Sequence, residues 1–142
     1  GLLTPVPVSG THVGFSTLRM EPCWMALGEA AGEAAALAVE KDVAPRKVPY
    51  QALRDRLLKH GAVLMFFRDM KPGDPHFAAV QALALQGWLD ADDWLARPNE
   101  KPSAADLERW GKLAGDARVA AGAATRAEAL GKFLEHMASR VP

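Results

Sequence analysis

Residues 12–32, HVGFSTLRMEPCWMALGEAAG, decide how this chain is organised. Small and hydroxyl residues at 9–17 predict a loop that can approach another group closely. Pro22 suits the first turn of a helix, because a missing N–H costs little there. From residue 24 to residue 39 the chain is almost entirely apolar or small, which predicts one long helix. The stretch is therefore a loop that leads into a helix N-terminus.

The predicted helix carries one narrow polar stripe. At about 100° per residue, Glu29, Glu33 and Glu40 fall within about 40° of one another. We expect the other faces to be buried, with the small residues at 28, 31, 32 and 35 packed closely on a sheet or another helix. The glutamates exclude a transmembrane span, which needs about 20 predominantly apolar residues.

The N-terminus of such a helix directs free backbone N–H groups and the positive end of the helix dipole outward. That arrangement stabilises an electron-rich group, such as a phosphate, a carboxylate or the reduced pyrimidine edge of a flavin. A second interpretation stays open on the residues alone, in which the helix simply packs on a sheet.

The composition excludes several classes of protein. Of the 142 residues, 49% are hydrophobic and 24% are charged, which predicts a packed core rather than disorder. Lys and Arg number 17, as do Asp and Glu, so charge gives no case for binding nucleic acid or an anionic membrane. The single cysteine cannot form an internal disulfide, and the histidines lack metal-ligand spacing, so we predict no metal site.

The pattern elsewhere in the chain is mainly helical. Residues 2–8 predict a short strand, which its two prolines place at a sheet edge or a strand end. Pro49 begins a second helix that Gly61 ends. Residues 62–67 are interpreted as strand-like or as buried coil. A composition break at residues 68–75 marks the expected boundary between a domain of residues 1–67 and one of residues 68–142.

Three short helices are expected in residues 68–142. Ser103 and Thr125 precede two of them as caps, with Asp106 and Glu128 three residues later. The two elements, SAAD and TRAE, suggest a weak internal repeat. We expect the tryptophans of this part to lie in its core.

Residues 1–41 closely resemble the C-terminal end of the FAD-dependent oxidoreductase family. The shared features are a Leu-Leu-x-Pro-Val strand, a Thr-His-Val loop, Ser-Thr-Leu-Arg-Met-Glu-Pro, and a Gly-x-Ala-Ala-Gly-x-Ala-Ala-Ala-Leu-Ala helix. The resemblance implies that residues 1–67 supply the last strand and helix of an α/β, Rossmann-like dinucleotide-binding domain. The fold class is then mainly α with a short strand, followed by a small all-helical module.

The resemblance also implies a site, in which the helix N-terminus faces the flavin ring of FAD. His12 and Arg19 would lie on the substrate side during hydride transfer from an organic substrate, a small molecule or a sugar-like compound. The residues expected to contact the isoalloxazine are Ser16, Thr17, Leu18, Arg19 and Met20.

Each of these roles has a structural alternative. His12 could be a loop histidine bonded to the backbone. Arg19 could pair with Glu21 instead of an anionic substrate or the reduced flavin. Cys23, in the first helical turn, could have a lowered thiol pKa or could be a small buried residue.

The chain departs from the family pattern at Gly10 and Glu29, where Ala or Ser and Gln are more usual. A larger departure is the absence of a Gly-x-Gly-x-x-Gly fingerprint from the 142 residues. The chain opens on Gly1 rather than Met, and we expect a fragment of a longer protein or a processed chain. Its expected partner is a missing N-terminal FAD-binding portion, without which we predict that it cannot hold FAD.

The second part resembles an S-layer homology repeat, through FRDM at 67–70, HFAAVQAL at 76–83, QGWL at 86–89 and TRAE at 125–128. Such modules bind cell-wall polysaccharide, and the resemblance implies contact between Arg126 and an acidic sugar. Alternatively, the TRAE element is only a helix cap within a structural or docking module. The alternative function for the chain is therefore a non-catalytic module that binds cell-wall glycan or a protein.

Overall fold

A computed structural model describes residues 1–90 and 92–140. The chain divides into two compact units, Gly1–His60 and Gly61–Pro142. This division lies seven residues before the expected boundary between residues 67 and 68. The assignment of the units to the two expected kinds of domain stays a prediction.

The first unit contains α1 (His12–Leu18), α2 (Glu21–Glu40), a 3₁₀ turn (Pro45–Lys47) and α3 (Tyr50–Lys59). The long predicted helix is confirmed by α2, which has Pro22 in its first turn. The helix expected after Pro49 is confirmed by α3, and Gly61 takes a left-handed φ of 85° just beyond it.

Two expectations for the first unit are wrong. No strand forms at residues 2–8, where the chain bends and Val8 N donates to Val6 O at 2.8 Å. A strand needs a neighbouring strand to share its hydrogen bonds, and the described part of this unit supplies none. Residues 12–17 belong to α1 rather than to a loop, because the Thr11 hydroxyl caps that helix by accepting from Gly14 N at 3.0 Å.

Only part of α2 is covered by the first unit. The residues that α2 buries within the described chain, Ala34, Leu37 and Ala38, lie in its C-terminal half. A Cβ added at Gly28 or Gly32 would meet no atom within 4 Å. The expectation that all faces but the glutamate stripe are buried is therefore wrong for this chain by itself, because α3 and the 3₁₀ turn reach only one end of the helix.

The glutamate stripe of α2 contacts α3. Glu33 Oε1 lies 2.7 Å from His60 Nδ1, and the Glu33 side chain is 19% exposed. Arg56 donates to both carboxylate oxygens of Glu40, at 3.0 and 2.5 Å. These polar contacts fasten the C-terminal half of α2 to α3.

The second unit confirms the three predicted short helices as α4 (Phe77–Ala84), α5 (Ala104–Ala114) and α6 (Arg126–Ala138). Its core includes Trp88 and Trp110, whose rings lie 5.7 and 6.4 Å from that of Phe133. Trp110 Nε1 donates to Trp88 O at 2.7 Å, which satisfies the buried indole.

Two large apolar side chains of the second unit are exposed, and for Trp94 the expected position in the core is wrong. Trp94 is 53% exposed and Leu113 is 52% exposed. Leu113 lies about 60° around α5 from Trp110, on the side away from the buried Gly111 and Ala114. Trp94 lies in a surface loop rather than on a helix face.

The two predicted caps are present but differ in detail. Ser103 and Asp106 form a reciprocal capping box on α5. Thr125 caps α6 by accepting from Glu128 N at 3.1 Å, whereas the Glu128 carboxylate accepts from Ala124 N at 2.9 Å rather than from Thr125. Residues 62–67, left open between strand and coil, are coil.

Candidate functional site

The chain turns sharply between α1 and α2, and the residues expected to contact a flavin occupy this corner. Met20 N donates to Thr17 O at 3.1 Å, and Met20 O accepts from the amides of Cys23 and Trp24 at 3.0 and 3.2 Å. All the expected contact residues are exposed except Leu18, which is half-buried. The corner therefore places the α2 N-terminus at the surface of the first unit.

The first turn of α2 offers an uncommitted backbone donor. Met20, the N-cap residue of α2, makes no side-chain capping hydrogen bond, and Pro22 carries no N–H. The Glu21 amide has no acceptor among the described residues. The exposed carboxylate of Glu21 lies in the same turn, so a doubly charged phosphate would meet repulsion there. A planar ring with one electron-rich edge fits this donor set better.

Large apolar side chains are exposed on α1 and at the corner. Val13 is 79% exposed, Phe15 42% and Met20 47%. A flat aromatic ring laid on this surface would remove apolar area from water. The residues present therefore fit an isoalloxazine, through one backbone N–H, the positive end of a helix dipole and an apolar surface.

The two expected substrate-side residues stand at opposite ends of α1, with His12 as its first residue and Arg19 as its C-cap. The ion pairs of the first unit involve Arg54, Arg56 and His60, and among the described residues none involves Arg19. The local pair between Arg19 and Glu21 is thus not formed.

The His12 side chain is exposed and makes no hydrogen bond with the described residues. The backbone-bonded alternative for His12 is therefore not found either.

Other polar groups of the corner are committed to local structure. The Ser16 hydroxyl donates to Val13 O at 2.6 Å, and the half-buried Cys23 thiol donates to Thr17 O at 3.5 Å. Sequence reasoning missed Trp24, whose buried Nε1 has no acceptor within the described chain. The sequence offers one sign of this residue's position: Trp24 directly follows Cys23, in the first turn of the predicted helix.

In the second unit, Arg126 points inward. Its guanidinium pairs with the Asp106 carboxylate and lies 5.1 Å from the ring centroid of Trp110. Arg126 Nε donates to Ala96 O at 3.3 Å, and the side chain is 14% exposed. The arrangement favours the structural role of the TRAE element over contact with a sugar.

A cavity of about 400 Å³ lies beside the start of α6. Its lining includes Asp69, Asp74, His76 and Thr125. The carboxylate of Asp69 accepts from two backbone amides, at residues 96 and 97, and that of Asp74 accepts from Lys71 N at 2.8 Å. These carboxylates hold the loops of the unit in place.

In residues 1–90 and 92–140, no group of three His, Cys, Asp or Glu side chains is arranged to hold a metal ion. Within the same ranges, no helix has both the length and the apolarity needed to cross a bilayer.

The chain was compared with protein families, curated proteins and solved structures. No curated protein and no solved structure matches the chain. The family model described as FAD dependent oxidoreductase matches residues 1–57. The match covers α1, α2 and most of α3 and does not extend into the second unit. Over residues 1–57, the chain is thus similar to the FAD-dependent oxidoreductases.

Proposed function

We propose that the first unit is the C-terminal part of the FAD-binding domain of an FAD-dependent oxidoreductase. The observation that carries the proposal is the coincidence of two features. The family match covers residues 1–57, and within them lies an exposed, uncapped helix N-terminus beside an apolar surface.

The residues of the corner hold the ring by backbone and apolar contacts. The Glu21 amide and the positive end of α2 stabilise negative charge on the pyrimidine edge. Leu18 and Met20 would contact the ring through their apolar side chains, and residues 16, 17 and 19 would contact it through their backbone. FAD held at this corner would supply the hydride acceptor for the oxidation of an organic substrate.

Arg19 and His12 act on the substrate in this proposal. Arg19 has no carboxylate partner among the described residues, so its guanidinium is available to an anionic group of the substrate. The exposed imidazole of His12 is available to donate a hydrogen bond to the substrate or to accept one from it.

The test is Arg19→Ala in the complete protein, followed by rapid-mixing measurement of flavin reduction. We expect the reduction rate or the substrate affinity to fall about tenfold or more, because the anionic group loses its counter-charge. Arg46→Ala is the matched control, since Arg46 is an exposed arginine of the 3₁₀ turn in the same unit. Unchanged reduction kinetics in Arg19→Ala, with full FAD content, would remove Arg19 from the site.

For the second unit, we infer a structural or docking role rather than glycan binding through Arg126. The ion pair, the ring contact and the carbonyl contact of Arg126 leave its guanidinium little exposed. Co-sedimentation with purified cell-wall glycan tests this inference. The wall-binding alternative would be supported if the unaltered chain sedimented with the glycan and a folded Arg126→Lys variant did not.

A further inference from the structure

The loop before α4 contains the only Asp-Pro bond of the sequence, in Gly-Asp-Pro-His at residues 73–76. A bond of this kind is labile in acid for two chemical reasons. The Asp carboxylate can attack its own main-chain carbonyl carbon, because the attack closes a five-membered ring. The proline nitrogen belongs to a tertiary amide, and it leaves as a secondary amine once it receives a proton. The sequence therefore places a nucleophile and a leaving group beside one carbonyl group.

The carbonyl group of Asp74 is held against the start of α4. Its oxygen accepts from Phe77 N at 3.1 Å, and Phe77 is the first residue of that helix. An N–H at a helix N-terminus, with the positive end of the dipole behind it, stabilises the negative charge that develops on a carbonyl oxygen under attack. The carbonyl oxygen of the Asp74–Pro75 bond thus has a preorganised donor.

The Asp74 side chain is fixed by the turn that precedes it. Lys71 N donates to Asp74 Oδ2 at 2.8 Å, and Asp74 N donates to Lys71 O at 3.1 Å. Asp74 Oδ1 accepts no hydrogen bond from the described residues. One carboxylate oxygen is therefore anchored, while the other is available to attack the adjacent carbonyl carbon.

His76 follows the proline in a strained backbone conformation, with a left-handed φ of 59° that residues other than glycine seldom adopt. The residue is exposed, and its ring lies against α6, where a Cβ added at Gly131 would come within 2.6 Å of the imidazole Nδ1. A protonated imidazole is a general acid of the kind that a leaving nitrogen needs. A break before Pro75 would also release the strained backbone.

The cavity of about 400 Å³ beside the start of α6 is lined by three consecutive residues of this loop, Asp74, Pro75 and His76. The other titratable groups of its wall are Asp69 and Glu128. Backbone amides donate to both of these carboxylates, at distances of 2.7 to 2.9 Å. Asp69 and Glu128 are thus committed to the fold. The cavity brings the nucleophile, the leaving group and the proton donor to one surface that water can reach.

We propose that the second unit cleaves its own chain at the Asp74–Pro75 bond. A carboxylate oxygen of Asp74 attacks the Asp74 carbonyl carbon, the bond from that carbon to Pro75 N breaks, and the imidazolium of His76 gives the nitrogen its proton. Asp74 is left as a cyclic anhydride, which one water molecule opens to two carboxyl groups. The sum is the hydrolysis of one peptide bond. The site lies outside residues 1–57 and does not depend on the flavin proposal.

The two products stay together while the unit is folded. Phe67, on the N-terminal product, is 3% exposed within the core. Gln81 bonds the backbone of Met65 across the cleavage point, and Asp69 accepts from the amides of residues 96 and 97. Cleavage is therefore measured after denaturation, which separates the products.

The test incubates the purified chain at about pH 5.5, where histidine side chains are largely protonated, and measures intact masses after denaturation. We expect two products, residues 1–74 and 75–142, formed about tenfold or more faster than in the same chain unfolded by urea. Hydroxylamine should trap the anhydride as a hydroxamate on the product that ends at Asp74. No cleavage, an equal rate in urea, or products without the hydroxamate would overturn the proposal.

Variants separate the cleavage chemistry from folding. Asp74→Glu keeps the charge but must close a six-membered ring, so cleavage should slow about tenfold or more. In His76→Gly, glycine adopts the positive φ without strain, so the thermal midpoint should stay the same or rise while cleavage slows about tenfold or more. Asp92→Glu, the same exchange at an exposed aspartate of this unit, should leave the cleavage rate unchanged.

Three further results would overturn the proposal. Cleavage could slow on dilution or stop with protease inhibitors, which would assign it to a second molecule. Asp74→Glu and Pro75→Ala, which replaces the tertiary amide by a secondary one, could both cleave as fast as the unaltered chain. The rate could also be the same in His76→Gly, which would remove the imidazole as the proton donor.

Discussion

The side chain of Gln81 pairs with the backbone of Met65 in the way that a neighbouring strand would. Gln81 Oε1 accepts from Met65 N, and Gln81 Nε2 donates to Met65 O, both at 2.8 Å. The same oxygen accepts from Leu64 N at 2.9 Å. Gln81 lies on α4 and is 1% exposed. One buried amide therefore satisfies three backbone groups of a coil segment.

Gln81→Leu should destabilise the second unit by about 2–4 kcal/mol, because those backbone groups lose their partner while they remain partly buried. Urea denaturation, followed by the fluorescence of the buried tryptophans, measures the change. Gln86→Leu is the control, since that exposed side chain, in the turn after α4, donates only to Ala82 O. Equal effects of the two substitutions would contradict the role given to Gln81.

Arg126 should contribute to folding rather than to ligand binding. Arg126→Ala removes the ion pair with Asp106 and the contact with Trp110, and we expect a loss of about 2 kcal/mol. The stability loss in Arg126→Lys should be smaller than in Arg126→Ala, since lysine keeps the charge but lacks the planar guanidinium group. Arg118→Ala should leave the denaturation midpoint unchanged, because the Arg118 side chain is 90% exposed. An unchanged midpoint for Arg126→Ala would contradict this role.

Acid should weaken the second unit through Asp106. Burial raises the pKa of this carboxyl, but hydrogen bonds from Ser103 and the charge of Arg126 outweigh burial, so the pKa lies below the ordinary value of 3.8. A carboxyl with a lowered pKa stabilises the fold above its unfolded pKa, and this contribution is lost as the pH falls through the folded value.

Denaturation midpoints measured between neutral pH and about pH 2 test this prediction. The midpoint of Asp106→Asn should be lower at neutral pH and should fall less steeply below pH 3.8 than that of the unaltered chain. Asp92→Asn, at an exposed carboxyl without a cationic partner among the described residues, should follow the unaltered profile. Parallel acid profiles for Asp106→Asn and the unaltered chain would count against the assignment.

The contact between Glu33 and His60 should fasten α2 to α3. Glu33→Gln weakens it and the contact with Arg56, and we expect a loss of about 1 kcal/mol in the first unit. Hydrogen exchange of the α2 and α3 amides measures this loss locally. Glu29→Gln is the control, because Glu29 lies on the same helix but is exposed. Protection factors that change alike in both variants would argue against the contact.

The 142-residue chain should not form a stoichiometric complex with FAD. It contains one corner that fits the isoalloxazine but no Gly-x-Gly-x-x-Gly loop to hold the pyrophosphate. Equilibrium dialysis, or gel filtration monitored by flavin absorbance, measures the bound fraction. A yellow one-to-one complex would show that the isolated chain carries enough of the site.

Periodicity was sufficient to predict most of the helices. The apolar run of α2 and the caps at Ser103 and Thr125 are local signals, and the structure contains those helices. Local signals were not sufficient to decide whether residues 2–8 form a strand, because a strand forms only where another strand shares its hydrogen bonds. For α1, the signal was present in Thr11, a capping residue that stands within a run of small residues.

Side-chain environments were less predictable than helices. Tryptophan is usually buried, and this expectation holds for Trp88 and Trp110 but fails for Trp94. The inward position of Arg126 depends on Trp110 and Asp106, which precede it by 16 and 20 residues. Gln81 did have a signal, as the one polar residue of an apolar helix, since a buried amide must find partners.

The exposed N-terminus of α2 could be predicted from the sequence, because Pro22 precedes a long apolar run. That this N-terminus faces a flavin stays a prediction. The roles of His12 and Arg19 did not follow, since both depend on a substrate. The structure removes the local alternatives for these two side chains among the described residues and leaves their catalytic roles as a proposal.

The open surroundings of Gly28 and Gly32 have a consequence for alanine substitutions at these two positions. Each glycine costs a helix interior about 1 kcal/mol relative to alanine, and neither is in contact with anything that would clash with a methyl group. Replacing both by alanine should make the isolated chain more helical and harder to unfold. If the same two substitutions lowered the stability of the complete protein, that loss would indicate how closely a second polypeptide surface packs against that side of α2.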